Sequence, residues 1–138
     1  MVIVDTNIWL EQLLGQDRAA EVGEFLAGMP PDSLLMTDFT LHSIGVILTR
    51  LQRPEVLSQF VDDVFGGDTV ELVSVEPESM PRVVAVINQF RLDFDDAYQY
   101  VAAEQDNVGI VSFDGDFDRT DRGRLTPAQA LAQALAEE

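Results

Sequence analysis

Acidic side chains stand where strands are predicted to end, at widely separated places in the sequence. Asp5 follows the apolar run Val2–Val4, and Asp114 follows a second β-branched run at 108–112. Asp96 lies behind an Asp-rich loop, at the start of a predicted helix. Open α/β sheets place their ligands at the carboxyl ends of parallel strands, so these carboxylates are expected to converge. Crowded carboxylates repel one another unless a cation offsets them, and the pattern therefore predicts a divalent metal site.

Four short apolar runs predict the strands that would position these acids. Runs of this kind, rich in β-branched residues and too short for helices, are typical of strands buried on both faces of a parallel sheet. They cover residues 2–4, 33–37, 70–75 and 108–112.

Helical spacing of apolar residues predicts seven helices between and after these strands. Thr, Asn, Asp and Pro near their starts, and Gly at several of their ends, support the boundaries. The helices cover 8–14, 17–28, 39–51, 54–65, 77–90, 96–105 and 127–138, and an irregular stretch covers 113–122. Strands separated by helices predict the α/β class, with a parallel sheet between layers of helices.

The length of 138 residues predicts one domain over 1–138, because no linker, repeat or low-complexity tract divides the chain. The absence of cysteine excludes disulfides and thiolate metal sites, and it fits a cytoplasmic protein. No apolar run approaches the ~20 residues of a membrane span, and Asp5 interrupts any signal core. No membrane association is therefore expected.

The net charge of the chain is strongly negative. There are 25 acidic residues and 8 Lys or Arg residues, all of them Arg, and the formal net charge is −17. Such a charge repels nucleic acid at long range, so an RNA or DNA substrate would be met through metal ions or a local basic patch. Two explanations of the charge stay open: a surface adapted for solubility in a salty cytoplasm, or a basic protein partner.

One basic cluster lies beside the acidic segment at 114–118. It consists of Arg119, Arg122 and Arg124. Arg suits bidentate contact with phosphate, which predicts a nucleic-acid contact at this place. The alternative is a set of ion pairs to the surrounding acids.

The residue types that are missing narrow the chemistry. Receiver domains and haloacid-type phosphatases also cluster acids at strand ends, but both depend on a Lys, and this chain has none. Serine or cysteine hydrolase chemistry lacks a nucleophile–base pair, because His42 is the only histidine and cysteine is absent. No Gly-rich phosphate loop with its Lys is present.

Three motifs, in this order, resemble the PIN-domain family, and in particular the VapC-type endoribonucleases of toxin–antitoxin pairs. They are Asp5-Thr6-Asn7, Asp96-Ala97 and the segment from Ser112 to Phe117. The resemblance covers essentially the whole chain and implies a three-layer α/β/α PIN-like fold with a central parallel sheet of four to five strands. It also implies a metal-dependent endoribonuclease that uses Mg²⁺ or Mn²⁺ on an RNA substrate, an antitoxin protein as partner, and a homodimer.

The resemblance also implies roles for individual residues. By position, Asp5, Asp96 and Asp114 match the family's catalytic, metal-binding acids. Asp116 would replace Asp114 as a ligand or bind the metal through water. The residues that match supporting positions are Thr6, Asn7 and Ser112.

One position departs from the family's pattern. The family usually has a Glu in the helix after the second strand. This sequence has Ser43 at that position, which would support the site but brings no charge to it. Asp38 is the nearest acid, and it would either bind the metal from one turn earlier or only cap the helix. The missing Glu leaves two functions open: an active nuclease, or a catalytically impaired binding module of the same fold. Asp5 and Asp96 also have a plainer interpretation, as acids that stabilise helix starts.

Overall fold

A four-stranded parallel sheet lies at the centre of the computed structural model, which describes residues 1–67 and 69–137. The strands are β1 (Val2–Val4), β2 (Leu34–Thr37), β3 (Val70–Val73) and β4 (Gly109–Val111), and their spatial order is β3-β2-β1-β4. Val2 is in register with Leu34 of β2 on one side and with Gly109 of β4 on the other. The predicted parallel α/β sheet is thereby confirmed. Leu125 adds a single parallel bridge to Val111 at the outer edge of β4.

Seven α-helices flank this sheet in the described part of the chain. They are α1 (Thr6–Leu13), α2 (Ala19–Gly28), α3 (Asp38–Arg50), α4 (Pro54–Phe65), α5 (Met80–Phe90), α6 (Phe94–Asp106) and α7 (Pro127–Ala136). Two short 3₁₀ helices, Pro77–Ser79 and Gly115–Arg119, complete the regular structure. No helix among the described residues is long and apolar enough to cross a membrane.

Alternation of side chains along the strands divides the core into two halves. Val2 and Val4 of β1 pack in a cluster with residues of α1, α2, α3, α4 and α7. Ile3, which points to the other face, packs in a second cluster with residues of α5 and α6. Because both faces are covered, all three residues of β1 are buried. The protein therefore has the predicted three-layer α/β/α arrangement.

Four helix starts differ from the sequence prediction by two residues or more. Helix α1 begins at Thr6 rather than at residue 8, because Asp5 is its N-cap and accepts the Thr6 N–H. The predicted helix 77–90 is divided into a 3₁₀ turn and α5, because Pro81 has no N–H to donate to the preceding turn. Helix α6 begins two residues before Asp96, because the Asp93 side chain accepts the backbone N–H of Asp96 at 2.9 Å. Helix α2 begins at Ala19 without a side-chain cap, so Asp17 does not cap it. The predicted end of the last helix, Glu138, lies outside the described residues.

Candidate metal centre

A cavity of about 320 Å³ lies at the carboxyl edge of the sheet, where β1 and β4 end beside the first turns of α3 and α6. Nine of its twelve lining residues are polar, and five of these are Asp. Its lining consists of Asp5, Thr6, Asn7, Leu10, Phe39, Ser43, Ile47, Asp93, Asp95, Asp96, Gln99 and Asp114. The three acids that the sequence singled out as catalytic therefore line one cavity.

Three carboxylates converge closely enough to share one ion. One carboxylate oxygen from each of Asp96, Asp114 and Asp116 lies within 4.8 Å of the other two. Asp114 and Asp116 are held in a tight turn, because the Asp114 carboxylate accepts the backbone N–H of Asp116 at 2.8 Å. The side chain of Asp116 also accepts from Arg119 at 2.9 Å. Helix α6 supplies the third carboxylate, Asp96, from its first turn.

The buried side chain of Asp96 has an oxygen without a partner. Asp96 is 6 % exposed, and its Oδ2 receives no hydrogen bond from the described residues. Burial is the largest cause that raises the pKa of Asp96 to about 8, and the charges of Asp114, Asp93 and Asp5 raise it further. An uncompensated buried carboxylate among other acids is costly, whereas a cation at that oxygen would reverse the cost. The residues present thus fit a hard divalent ion, which prefers oxygen ligands.

Both carboxylate oxygens of Asp5 accept hydrogen bonds, in contrast to Oδ2 of Asp96. Its Oδ1 accepts from the backbone N–H of Thr6 at 2.7 Å and from the side-chain amide of Gln99 at 3.0 Å. Its Oδ2 accepts from the Ser112 hydroxyl at 2.7 Å and from the Asn7 amide at 3.4 Å. Asp5 is also the N-cap of α1, so the helix-cap interpretation and the site interpretation both apply to it.

The electrostatic environment of Asp5 combines opposing effects. Burial raises the pKa of this carboxyl, while the hydrogen bonds from Ser112, Gln99 and Thr6 act in the lowering direction. The charge of Asp114 raises it further, and the net direction is upward. Thr6, Asn7 and Ser112, predicted as supporting residues, all lie in direct contact with Asp5 or with one another.

Gln99 is the site residue that the sequence analysis missed. It is 1 % exposed, and its amide nitrogen donates to Asp5 and, at 2.7 Å, to the Thr40 hydroxyl. Its carbonyl oxygen accepts from the Thr37 hydroxyl at 2.7 Å. A signal was present, because Gln99 lies three residues after Asp96 and so shares its helix face. Gln is common on exposed helix surfaces, and that expectation concealed it.

The two α3 positions near the missing Glu lie in different surroundings. Ser43 lines the acidic cavity, one turn after Thr40. Asp38 is not part of the described cavity lining: its Oδ1 accepts the Phe39 N–H at 2.8 Å and the Tyr98 hydroxyl at 2.7 Å. The N-cap of α3 is Thr37, whose side chain accepts the Thr40 N–H at 3.1 Å. Asp38 therefore stabilises the first turn of α3 beside the cap.

The arginines of the basic cluster bind protein acceptors. Arg119 donates to the backbone carbonyls of Phe90 and Arg91 as well as to Asp116. Arg122 donates to the carbonyl of Val108 at 3.0 Å. The guanidinium of Arg124 donates to the carbonyl of Ser112 at 3.1 Å, and Asp118 accepts from it at 3.2 Å. Contact of this cluster with phosphate stays a prediction, and any phosphate would share donors that these acceptors already use.

A model of one protein family matches most of the sequence. The model is described as PIN domain, and it matches residues 2–123. Among curated proteins, none matches the sequence significantly.

Solved structures share the fold at low sequence identity. A toxin–antitoxin complex from Klebsiella pneumoniae contains a chain with 19 % identity and a TM-score of 0.74, with 92 % of this chain and 98 % of that chain covered. VapC20 from Mycobacterium tuberculosis, described as a sarcin–ricin loop cleaving toxin, has 17 % identity and a TM-score of 0.78, with coverage of 92 % and 100 %. VapBC2 from Rickettsia felis, solved with a DNA fragment from its promoter, has 16 % identity and a TM-score of 0.67, with 91 % of this chain and 97 % of that chain covered.

Proposed function

This chain belongs to the PIN domain family, and on that premise we propose that it is a metal-dependent endoribonuclease that hydrolyses phosphodiester bonds of RNA. We propose further that it is the toxin of a toxin–antitoxin pair. Two observations carry the proposal: Asp96, Asp114 and Asp116 converge, and the buried Asp96 has an oxygen that receives no hydrogen bond from the described residues. Such an arrangement is costly to the fold alone and is useful for holding a cation.

The residues proposed to hold Mg²⁺ or Mn²⁺ are Asp96, Asp114 and Asp116, with Asp5 as a further acid in the lining of the same cavity. When bound, such an ion supplies positive charge against a substrate phosphate and activates water for attack on phosphorus. In the reaction the water oxygen bonds to phosphorus, one ester P–O bond breaks, and the leaving oxygen takes up a proton. The Asp5 carboxylate is the further acidic group that we assign to catalysis. Four hydrogen-bond donors hold it in one orientation: Thr6, Asn7, Gln99 and Ser112.

The charges of the cavity explain why the substrate would arrive with its metal. Five Asp residues line the cavity and disfavour a phosphate there, so the bare protein is a poor receptor for RNA. A divalent ion held by these carboxylates would offset part of this charge, and it would bind the deprotonated form of Asp96, whose pKa is raised to about 8 in the metal-free protein.

The test is cleavage of a mixed pool of single-stranded RNA by the purified chain. We expect fragments in Mn²⁺, none in excess EDTA, and at least a hundredfold lower rate for Asp96→Asn. Asp106→Asn is the matched control, since Asp106 lies on the same helix, is exposed, and is not part of the cavity lining. Cleavage that persists in EDTA, or that survives Asp96→Asn, would overturn the proposed function.

A protein partner and a second copy belong to the same proposal. The Klebsiella pneumoniae neighbour is a toxin–antitoxin complex, and the net charge of −17 favours a partner segment that is basic. We propose a cytoplasmic homodimer that is neutralised by such an antitoxin. Light scattering should give twice the 15.3 kDa of one chain, and expression in a bacterial host should arrest growth unless Asp96→Asn is present.

One observation favours a second function, that of a binding module without catalysis. Ser43 lines the acidic cavity and brings no charge to it. In that case the chain would bind Mn²⁺ and RNA while the RNA pool stays intact. The same assay therefore separates the two functions.

A further inference from the structure

Three aromatic rings form a cluster at the rim of the acidic cavity. The ring centroids of Phe39 and Phe94 are 6.3 Å apart, those of Phe94 and Tyr98 are 5.9 Å apart, and those of Phe39 and Tyr98 are 5.8 Å apart. Phe94, the first residue of α6, is 45 % exposed. Among the large apolar side chains that are exposed in the described chain, it is the one aromatic.

The inner rings hold the outer one in place. Tyr98 is buried, its hydroxyl donates to Asp38 at 2.7 Å, and it accepts the backbone N–H of Val75 at 2.9 Å. Phe39 packs edge-on to Phe94, with the planes 74° apart, and it is partly buried against the core cluster that contains Leu35 of β2. A ring supported in this way loses little conformational freedom when something stacks on it, which favours binding at its open side.

The exposed ring is continuous with the proposed catalytic cavity. Phe39 lines that cavity, and so do Asp93 and Asp95, which flank Phe94 in the sequence. These acids repel a phosphate on either side of the ring, but they do not repel the face of an uncharged base. An aromatic ring stacks on any nucleobase, because every base has a π-face.

Resting on the proposed function, we propose that Phe94 is a stacking site for an unpaired base next to the scissile phosphate. The substrate class that this site takes is single-stranded RNA, or a loop whose bases are splayed out of the helix. The chain thereby gains affinity for RNA without a basic groove: metal ions hold the phosphate, and Phe94 holds the neighbouring base.

The experiment measures binding of a labelled single-stranded purine RNA of about ten nucleotides by fluorescence anisotropy in Ca²⁺. A second oligomer has the same length and sugar–phosphate backbone but carries no bases. Phe94→Leu keeps an apolar side chain and removes the ring, Phe94→Trp keeps a ring, and Val84→Ala removes apolar atoms from an exposed position of α5. Cleavage of the base-containing RNA in Mn²⁺ is followed in parallel.

We expect Phe94→Leu to weaken binding of the base-containing RNA about tenfold, in line with the usual contribution of one stacked base. Phe94→Trp should bind as tightly as the parent, and Val84→Ala should change nothing. All four proteins should bind the oligomer without bases equally weakly.

Equal affinity of the parent and Phe94→Leu for the base-containing RNA would overturn the stacking site. The stacking site would also be overturned if Phe94→Leu kept its affinity for the base-containing RNA but changed from dimer to monomer in light scattering. Phe94 would then contact a second copy of the chain rather than a base. If binding depends on Phe94 but no cleavage occurs in Mn²⁺, the stacking site stands and the nuclease proposal fails. A parent that binds neither oligomer contradicts both.

Discussion

Individual buried polar residues decide the geometry of the acidic site, and Gln99 is the clearest case. Its amide joins the end of β1, at Asp5, to the start of α3, at the N-cap Thr37 and at Thr40 in the first turn. A helix residue thereby sets the orientation of a carboxylate that is 94 positions away in the sequence.

Gln99→Met should lower both stability and metal affinity, because it keeps the side-chain volume but leaves Asp5 and Thr37 short of a partner. Each buried group left unpaired costs about 1–3 kcal/mol of unfolding free energy. Urea unfolding and Mn²⁺ titration check the two effects. Gln105→Met, at an exposed position of the same helix, is the control. A variant that loses stability but binds Mn²⁺ as before would mean that Gln99 is structural alone.

The raised pKa of Asp96 predicts that the metal-free protein loses stability as pH rises. The folded protein keeps a proton on this carboxyl up to about pH 8, whereas the unfolded chain releases it near the ordinary value of 3.8. The folded state therefore binds more protons between these values, and the free energy of unfolding falls across that window. Asp5, whose pKa is also raised, acts in the same direction.

Thermal melts in EDTA between pH 5 and pH 8.5 measure this slope. Asp96→Asn should reduce it, and Asp106→Asn should leave it unchanged. In excess Mn²⁺ the slope should reverse, since metal binding requires the deprotonated acid. A parent whose melting temperature rises over this range in EDTA would contradict the prediction.

At the scale of the elements, the strands were predictable and the helix starts were less so. The runs at 33–37 and 108–112 each lie within one residue of an observed strand, because a buried strand needs continuous apolar residues. The division at Pro77–Ser79 depends on the N–H that Pro81 lacks, and the cap at Asp93 depends on one side-chain-to-backbone hydrogen bond; apolar spacing reports neither.

Tertiary hydrogen bonds were beyond what the sequence pattern could predict. The carbonyls that Arg119, Arg122 and Arg124 bind come from positions up to 29 residues away. Their partners depend on how the chain segments pack, so the same cluster could be interpreted as a phosphate site. The motif acids, in contrast, lie directly at strand and helix ends, and their shared edge followed from the parallel topology.

Helix α3 offers a direct test of the missing carboxylate. Ser43→Glu should lower the melting temperature in EDTA by repulsion, and it should increase the rise that Mn²⁺ causes, because a ligand is restored. His42→Glu is the control. It adds the same charge at the preceding position, which lines a different, apolar groove between α3 and α4. Paired melts with and without Mn²⁺ compare the variants. An equal Mn²⁺-induced rise in both would mean that position 43 does not contribute to the metal site.

At the scale of the whole molecule, the net charge of −17 dominates. The described residues contain three salt bridges, each with at least one partly exposed partner, so self-repulsion exceeds local attraction. We expect the melting temperature to rise by several degrees between 0.05 and 1 M KCl, because salt screens this repulsion. Differential scanning calorimetry measures the shift. A melting temperature that falls with KCl would show that the ion pairs matter more than the net charge.

The position of β1 at the middle of the sheet also sets the stage of synthesis at which the acidic cavity can form. Of the four strands β1 is synthesised first and its neighbour β4 last, and Asp5 meets Ser112 across 107 residues. The acids at 114 and 116 arrive later still. A nascent chain therefore cannot assemble the acidic cavity until β4 has been made, and a fragment that ends before residue 114 lacks two of the three clustered carboxylates, Asp114 and Asp116.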